Sequence, residues 1–142
     1  FDFDKVLEKT RENPVFYVQY SYARISSLFR ILNIDSNKVF EINKNDFELN
    51  THELNLFRKI LDWPKVIETA AFKYEPHRIP FYLYELATLF HSYWSKGNND
   101  PSYKFIINGK IKSANTLLVI KLVALTIENG MKILGVSLPN KM

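Results

Sequence analysis

Asn13-Pro14-Val15-Phe16-Tyr17-Val18-Gln19-Tyr20-Ser21-Tyr22-Ala23-Arg24-Ile25 opens the most informative stretch of this chain. Asparagine before proline reads as an N-cap followed by a first helical residue, where the missing N–H costs nothing. Beyond it Val15, Val18, Tyr22, Ile25, Leu28, Phe29 and Leu32 recur at helical spacing, which predicts one long helix to about Leu32. A helix with such a stripe must bury it against other elements, and the rest of the chain supplies helices to do so.

Upstream, Phe3 to Thr10 predicts a short helix with Phe3, Val6 and Leu7 on one side. The sequence starts at Phe1 without methionine, so it reads as a piece of something longer. Downstream, Asn33 to Asn50 is a polar connector, and Asn50-x-x-Glu53 is a capping arrangement for a helix carrying Leu54, Phe57, Ile60 and Leu61. Trp63-Pro64 marks a break before a short helix with Val66, Ile67, Ala70 and Ala71, which ends by Pro76. Ile79 to Ser95 predicts the next long helix, with Leu83, Leu86, Ala87 and Phe90 in register, and Gly97-Asn98-Asn99-Asp100-Pro101 reads as a loop. Phe105 to Ile111 contains Asn108-Gly109, the signature of a tiny hairpin, although a packed loop fits the same residues. Ser113 to Asn129 restores a long helix, and Met131, Ile133 and Leu134 beyond Gly130 read as further helix or a tight packed turn. The expected fold is an all-α bundle of five or six helices with an irregular connector.

The chain has 142 residues and 46% hydrophobic content, enough for one filled core, so residues 1–142 are expected to form one domain. The absence of cysteine excludes disulfides, thiol nucleophiles and cysteine zinc sites, and fits a reducing, cytoplasmic setting. His52, His77 and His91 are too scattered to suggest a metal site, and none is expected. The apolar run from Thr116 to Ile127 is interrupted by Lys121 and too short to span a bilayer, and no signal peptide pattern opens the chain. Residues 1–50 hold seven Lys or Arg against eight Asp or Glu, a net −1, whereas residues 51–142 hold twelve against seven, a net +5. A polyanion would feel that asymmetry.

Tyr17, Tyr20 and Arg24 lie three and four positions apart, on one side of the first long helix. Aromatic rings beside a guanidinium can receive unstacked bases while the cation meets phosphate, and core packing with the hydroxyls at the surface is the plainer alternative. Tyr22 points about 180° away from Tyr20, toward the packed side. Phe90, His91 and Trp94 form a second cluster, with Phe90 and Trp94 at i,i+4; here a structural aromatic ladder is the alternative. His91, Lys96 and Lys104 are secondary candidates for RNA contact, while Lys104, Lys110 and Lys112 around the hairpin also read as simple solvated cations. Arg78 at a helix start is unfavourable for the dipole and calls for an ion pair with Glu75 or Glu85. The end of the chain, Asn129 to Met142, is an apolar segment punctuated by Gly130 and Gly135, and Met142 is a candidate contact. There is no Gly-rich phosphate loop and no His-Glu-x-x-His segment, Ser26-Ser27 and Ser92 lack a base with its orienting partner, and Glu8/Glu12 read as exposed helix charges, so no catalytic residue is expected.

Asn13 to Ile25, Glu75-Pro-His-Arg-Ile-Pro-Phe-Tyr-Leu-Tyr-Glu-Leu-Ala87, and Glu128 to Met142 together resemble the anticodon-binding domain of arginyl-tRNA synthetases, the all-α C-terminal domain of the DALR group. That resemblance implies that Tyr17, Tyr20 and Arg24 meet the anticodon loop, that Phe90 and Trp94 form a second wall, and that Met142 matches the family's terminal methionine. It also implies that Gly130 and Gly135 allow turns returning the tail to the first helix. It further implies a parent class I enzyme that uses ATP, with magnesium, to join arginine to its tRNA in a catalytic domain outside this chain. The partners are then arginine tRNA and that catalytic domain, with no membrane, and this chain recognises RNA without chemistry. Thr116 and Ala124 depart from the family, which often has arginine near both, as do His91, where a smaller polar residue is frequent, and Tyr22, where histidine is. Two other readings stand beside it. One is a general RNA-binding or protein-interaction helical domain separated from a catalytic partner. The other is a structural domain whose tyrosines and Trp94 are buried and separate.

Overall fold

In the computed structural model, which describes residues 13–41 and 48–142, Asn13 caps the first helix by accepting hydrogen bonds at Oδ1 from the Val15 and Phe16 amides. That helix, α1, runs Pro14–Ile31, and it is followed by α2 (Thr51–Leu61), α3 (Trp63–Phe72), α4 (Arg78–Asn99) and α5 (Ala114–Leu134). Among the described residues there are thus five α-helices, with 3₁₀ turns at Ser36–Glu41 and Pro101–Tyr103. The helix expected over Phe3–Thr10 and the middle of the connector, residues 42–47, lie outside the described residues. Asn108 and Gly109 both take positive φ, 52° and 73°, and close an antiparallel hairpin, β1 (Ile106–Ile107) on β2 (Lys110–Ile111), with Ile106 opposite Ile111.

α4 is the central element and touches each of the other four helices. Its buried stripe of Ile79, Leu83, Leu86, Ala87 and Phe90 meets Val18, Ile25 and Leu28 of α1 and Leu117, Ile120, Val123 and Ile127 of α5 in one core. α1 and α4 run in the same direction, because Tyr17 meets Tyr84 and His91 whereas Arg24 meets Trp94. α5 runs the other way: Gly130 meets Leu83 near the start of α4. No helix among the described residues is long and apolar enough to cross a membrane.

One boundary differs from expectation, and a second takes one of the two alternatives the sequence left open. Gly97, Asn98 and Asn99 are helical, not loop, and Gly97 is buried where the chain folds back on α4; a Cβ there would lie 3.1 Å from the Tyr103 carbonyl and 3.2 Å from Lys104 Cα. The helix ends at Asp100 because Pro101 disfavours helical geometry in the residue before it. Gly130 is likewise inside α5: a Cβ would sit 2.7 and 2.8 Å from the two Leu83 methyls, so it marks the close approach of α4 and α5 and makes no turn. The turn falls at Gly135 alone, which takes φ 69°.

The capping box at Asn50 and Glu53 is present, and it reaches far beyond its own helix. Glu53 is 3% exposed. Its carboxylate accepts from the Asn50 amide at 3.1 Å, from the Tyr93 hydroxyl at 2.8 Å, and from the Thr116 hydroxyl. Hydroxyls and an amide therefore serve this buried acid, at the very position, Thr116, where the resemblance leads one to expect arginine. Burial, reinforced by the Glu53 carboxylate, pushes the Tyr93 phenol well above its ordinary value. Arg78 pairs with Glu75, as its place at the start of α4 requires, and the Arg78 hydrogen bond holds the Glu75 carboxyl below its usual range.

Candidate nucleic-acid interface

Ser21 fixes the base of the site. Its hydroxyl donates to the Tyr17 carbonyl at 3.1 Å, so its oxygen accepts from His91 Nε2 at 2.8 Å, linking α1 to α4. His91 then packs its ring 4.6 Å from that of Tyr17 and 5.5 Å from that of Tyr20, the latter nearly parallel at 17°. Tyr17, Phe90 and His91, the first two expected at the RNA contact and the third a secondary candidate, are 6%, 0% and 9% exposed. They lie behind the next layer, with His91 packed on Tyr20 and Phe90 on Trp94.

That outer layer is Tyr20, Arg24, Trp94 and Met142. Tyr20, Arg24 and Trp94 are half-buried, and the Arg24 guanidinium lies 4.8 Å from the centroid of each of the two rings. Arg24 also donates to the Tyr20 hydroxyl, which orients the pair. The three bound a surface recess of about 230 Å³ together with Ser27, Ile31, Ile106 and Met142. Met142 is 52% exposed. The tail reaches this place because Gly135 turns it back, and the Gln19 side-chain amide donates to the Ser137 carbonyl at 2.8 Å.

Arg24 makes no ion pair among the described residues, and no Asp or Glu side chain lines the recess. The site therefore combines aromatic surface, a thioether and an uncompensated cation, which suits planar, anionic ligands. Lys96 and Lys104 are exposed at the same end of the bundle; Lys96 Nζ lies 5.7 Å from the Tyr103 ring centroid. Among the described residues no cluster of three or more His, Cys, Asp or Glu is placed to hold a metal ion. Sequence reasoning missed Ser21, Gln19 and Ile106. Ser21 had a weak signal, a small polar residue one turn after Tyr17 on the packed side; Gln19 and Ser137 are 118 positions apart and had none.

Comparison with known proteins bears on this arrangement. The sequence pattern described as DALR anticodon binding domain matches residues 18–142. The chain is 47% identical over 142 residues to an arginine–tRNA ligase of Pelagibacter ubique, covering 100% of this chain and 25% of that protein. It is 46% identical over 143 residues to an arginine–tRNA ligase of Ruegeria pomeroyi, covering 96% of this chain and 24% of that one. A solved structure from Campylobacter jejuni, provisionally named an arginyl-tRNA synthetase, superposes with a TM-score of 0.83 at 27% identity, covering 100% of this chain and 29% of its own. The chain spans about a quarter of the length of the curated relatives it matches. With the pattern matched from Val18 to Met142 on a bundle that also superposes in space, the chain belongs to the DALR anticodon-binding domain family and is homologous to part of the arginine–tRNA ligases.

Proposed function

We propose that residues 1–142 form the anticodon-binding domain of an arginine–tRNA ligase, which docks and reads the anticodon loop of arginine tRNA without performing chemistry. The observation that carries this reading is the Arg24 guanidinium held 4.8 Å from both the Tyr20 and Trp94 rings at the edge of a recess shared with Met142. Tyr20, Trp94 and Met142 receive displaced bases, and Arg24 supplies charge to phosphate or a base edge. Tyr17, Phe90 and His91 act behind them by holding the rings in place, while Lys96 and Lys104 extend the positive field along the RNA.

In the parent protein, arginine activation with ATP and magnesium and transfer to tRNA take place in a catalytic domain of the same polypeptide, in the cytoplasm. Binding energy realised at the anticodon orients the distant acceptor end, a use of remote binding to favour the productive complex. The test is binding of the 142-residue chain, at fixed salt, to matched anticodon stem-loops from arginine and non-arginine tRNAs. Arginine-selective binding, weakened about tenfold by Trp94→Ala, is expected from loss of one stacking partner. Equal affinity for all loops would replace this reading with a general RNA-binding module, and no binding to any loop would remove recognition from this chain acting alone.

A further inference from the structure

Between the end of α2, α3 and the first turns of α4 lies a groove of about 600 Å³. Its floor is Tyr82, buried with its ring 5.1 Å from that of Trp63, and Val66, Thr69 and Phe81 line it beside Tyr82. Phe81 is 66% exposed. Phe72, which continues the Lys65–Thr69 row of α3, and Tyr74, in the turn from α3 to α4, are 85% and 92% exposed. We propose that this groove and these three rings form the face on which the rest of the ligase polypeptide docks, through an apolar surface that covers them. The inference rests on the parent enzyme proposed above and adds the surface that joins this domain to it.

Three rings left so open between positions 72 and 81 mark an interaction site, and aromatic side chains of this kind anchor protein interfaces. Charge separates protein from RNA as the occupant. Around the groove Lys59 pairs with Glu85, Lys65 with Glu68 and Arg78 with Glu75, and Asp62 adds an acid. A polyanion gains little from cations already matched, whereas an apolar centre bordered by paired charges is the pattern of a protein interface. The recess beside Arg24 has the opposite character, with no carboxylate in its lining.

Length selects among protein occupants. The chain spans about a quarter of the curated relatives it matches, so about three-quarters of such a polypeptide lies outside it. A covalently joined domain docks at high effective concentration and needs less apolar surface than a free partner or a second copy of this chain. Phe81 precedes Trp94 by thirteen residues on the same helix, roughly 20 Å along its axis. The docked polypeptide and an anticodon loop therefore fit at the same time, with α4 as the rigid member between them.

The test is hydroxyl-radical footprinting of Phe72, Tyr74 and Phe81 in the full-length ligase that carries this sequence, native and urea-unfolded. Labelling follows accessible area, so rings taken into the core of an interface should react about tenfold more slowly in the native enzyme. Phe81→Asp should restore labelling of Phe72 and Tyr74, and Phe72→Asp, on the other helix, should restore that of Tyr74 and Phe81. Affinity for the arginine stem-loop, read on the same preparations, should not change. Native labelling close to the unfolded rate overturns the docking face, as does protection that survives both substitutions. Protection that fades on dilution together with dissociation of a dimer assigns the face to a second copy, and protection that needs added stem-loop assigns it to RNA; either overturns the proposal. Unprotected rings with arginine-selective binding remove the docking face alone, whereas unprotected rings without stem-loop binding remove the ligase reading as well.

Discussion

The Arg24 guanidinium lies 4.8 Å from the centroid of the Trp94 ring and so joins the first and fourth helices across the rim of the candidate RNA site. The contact holds a cation at the surface in a fixed orientation without neutralising it. Arg24→Gln should therefore lower affinity for the arginine stem-loop about tenfold and reduce the salt slope of binding by about one, as expected for loss of one phosphate-directed charge. Arg24→Lys should retain most of the salt slope but less of the affinity, because an ammonium lacks the planar surface that lies along Tyr20 and Trp94. Titrations at several salt concentrations check both, and an unchanged slope in Arg24→Gln would remove Arg24 from phosphate contact.

Gly130→Ala sets helix propensity against packing. Propensity alone favours alanine by about 1 kcal/mol. The new Cβ, however, would lie 2.7 Å from a Leu83 methyl in the centre of the core. Overpacking of that kind typically costs about 1–3 kcal/mol, so net destabilisation is expected in chemical denaturation. The double variant Gly130→Ala/Leu83→Ala should show coupling of opposite sign, since the smaller residue removes the collision. A stabilised Gly130→Ala would show that α4 and α5 separate freely.

Thr116→Val keeps the shape of the side chain and removes its hydrogen bond to the buried Glu53 carboxylate. A loss of about 1–3 kcal/mol in unfolding free energy is expected, with Thr116→Ser close to wild type. If valine and serine behave alike, the hydroxyl is not what satisfies Glu53.

Tyr82 and Tyr93 carry phenols raised above their ordinary value, in each case chiefly by burial and further by neighbouring carboxylates. The unfolded chain releases these protons at about pH 10, the folded chain only at higher pH. Their contribution to stability is therefore complete below about pH 10 and is lost as the pH rises through the folded values. Of the eight tyrosines, these two should ionise only together with loss of near-ultraviolet circular dichroism. Reversible ionisation of Tyr82 and Tyr93 in folded protein would contradict this.

Much of the architecture is local and could be read from residues in order. Asn13-Pro14, Asn50-x-x-Glu53 and Asn108-Gly109 each produce the element their chemistry predicts. The errors came from contacts between distant segments. Gly97 reads as loop in sequence and Gly130 as leading into either further helix or a turn; both are helical, and another segment, at Tyr103 and Leu83 respectively, fills the room of the missing side chain. The site shows the same limit. Tyr17 and Tyr20 share a side of α1 but differ by about 60° around its axis, and that rotation separates a ring under α4 from one at its edge. Phe90 and Trp94 are one turn apart, yet Phe105, arriving from beyond the loop, lies against both and leaves Phe90 fully covered.

Glu53 also governs how the bundle comes apart. It begins α2, an eleven-residue helix too short to persist alone, while its carboxylate is held by Tyr93 of α4 and Thr116 of α5. Fraying at that terminus cannot remain a local event, because it would strand two hydroxyls and an acid in the core. The start of α2 is thereby bound into the same cooperative unit as the two longest helices, and its amides should exchange with solvent only through the opening that releases all three.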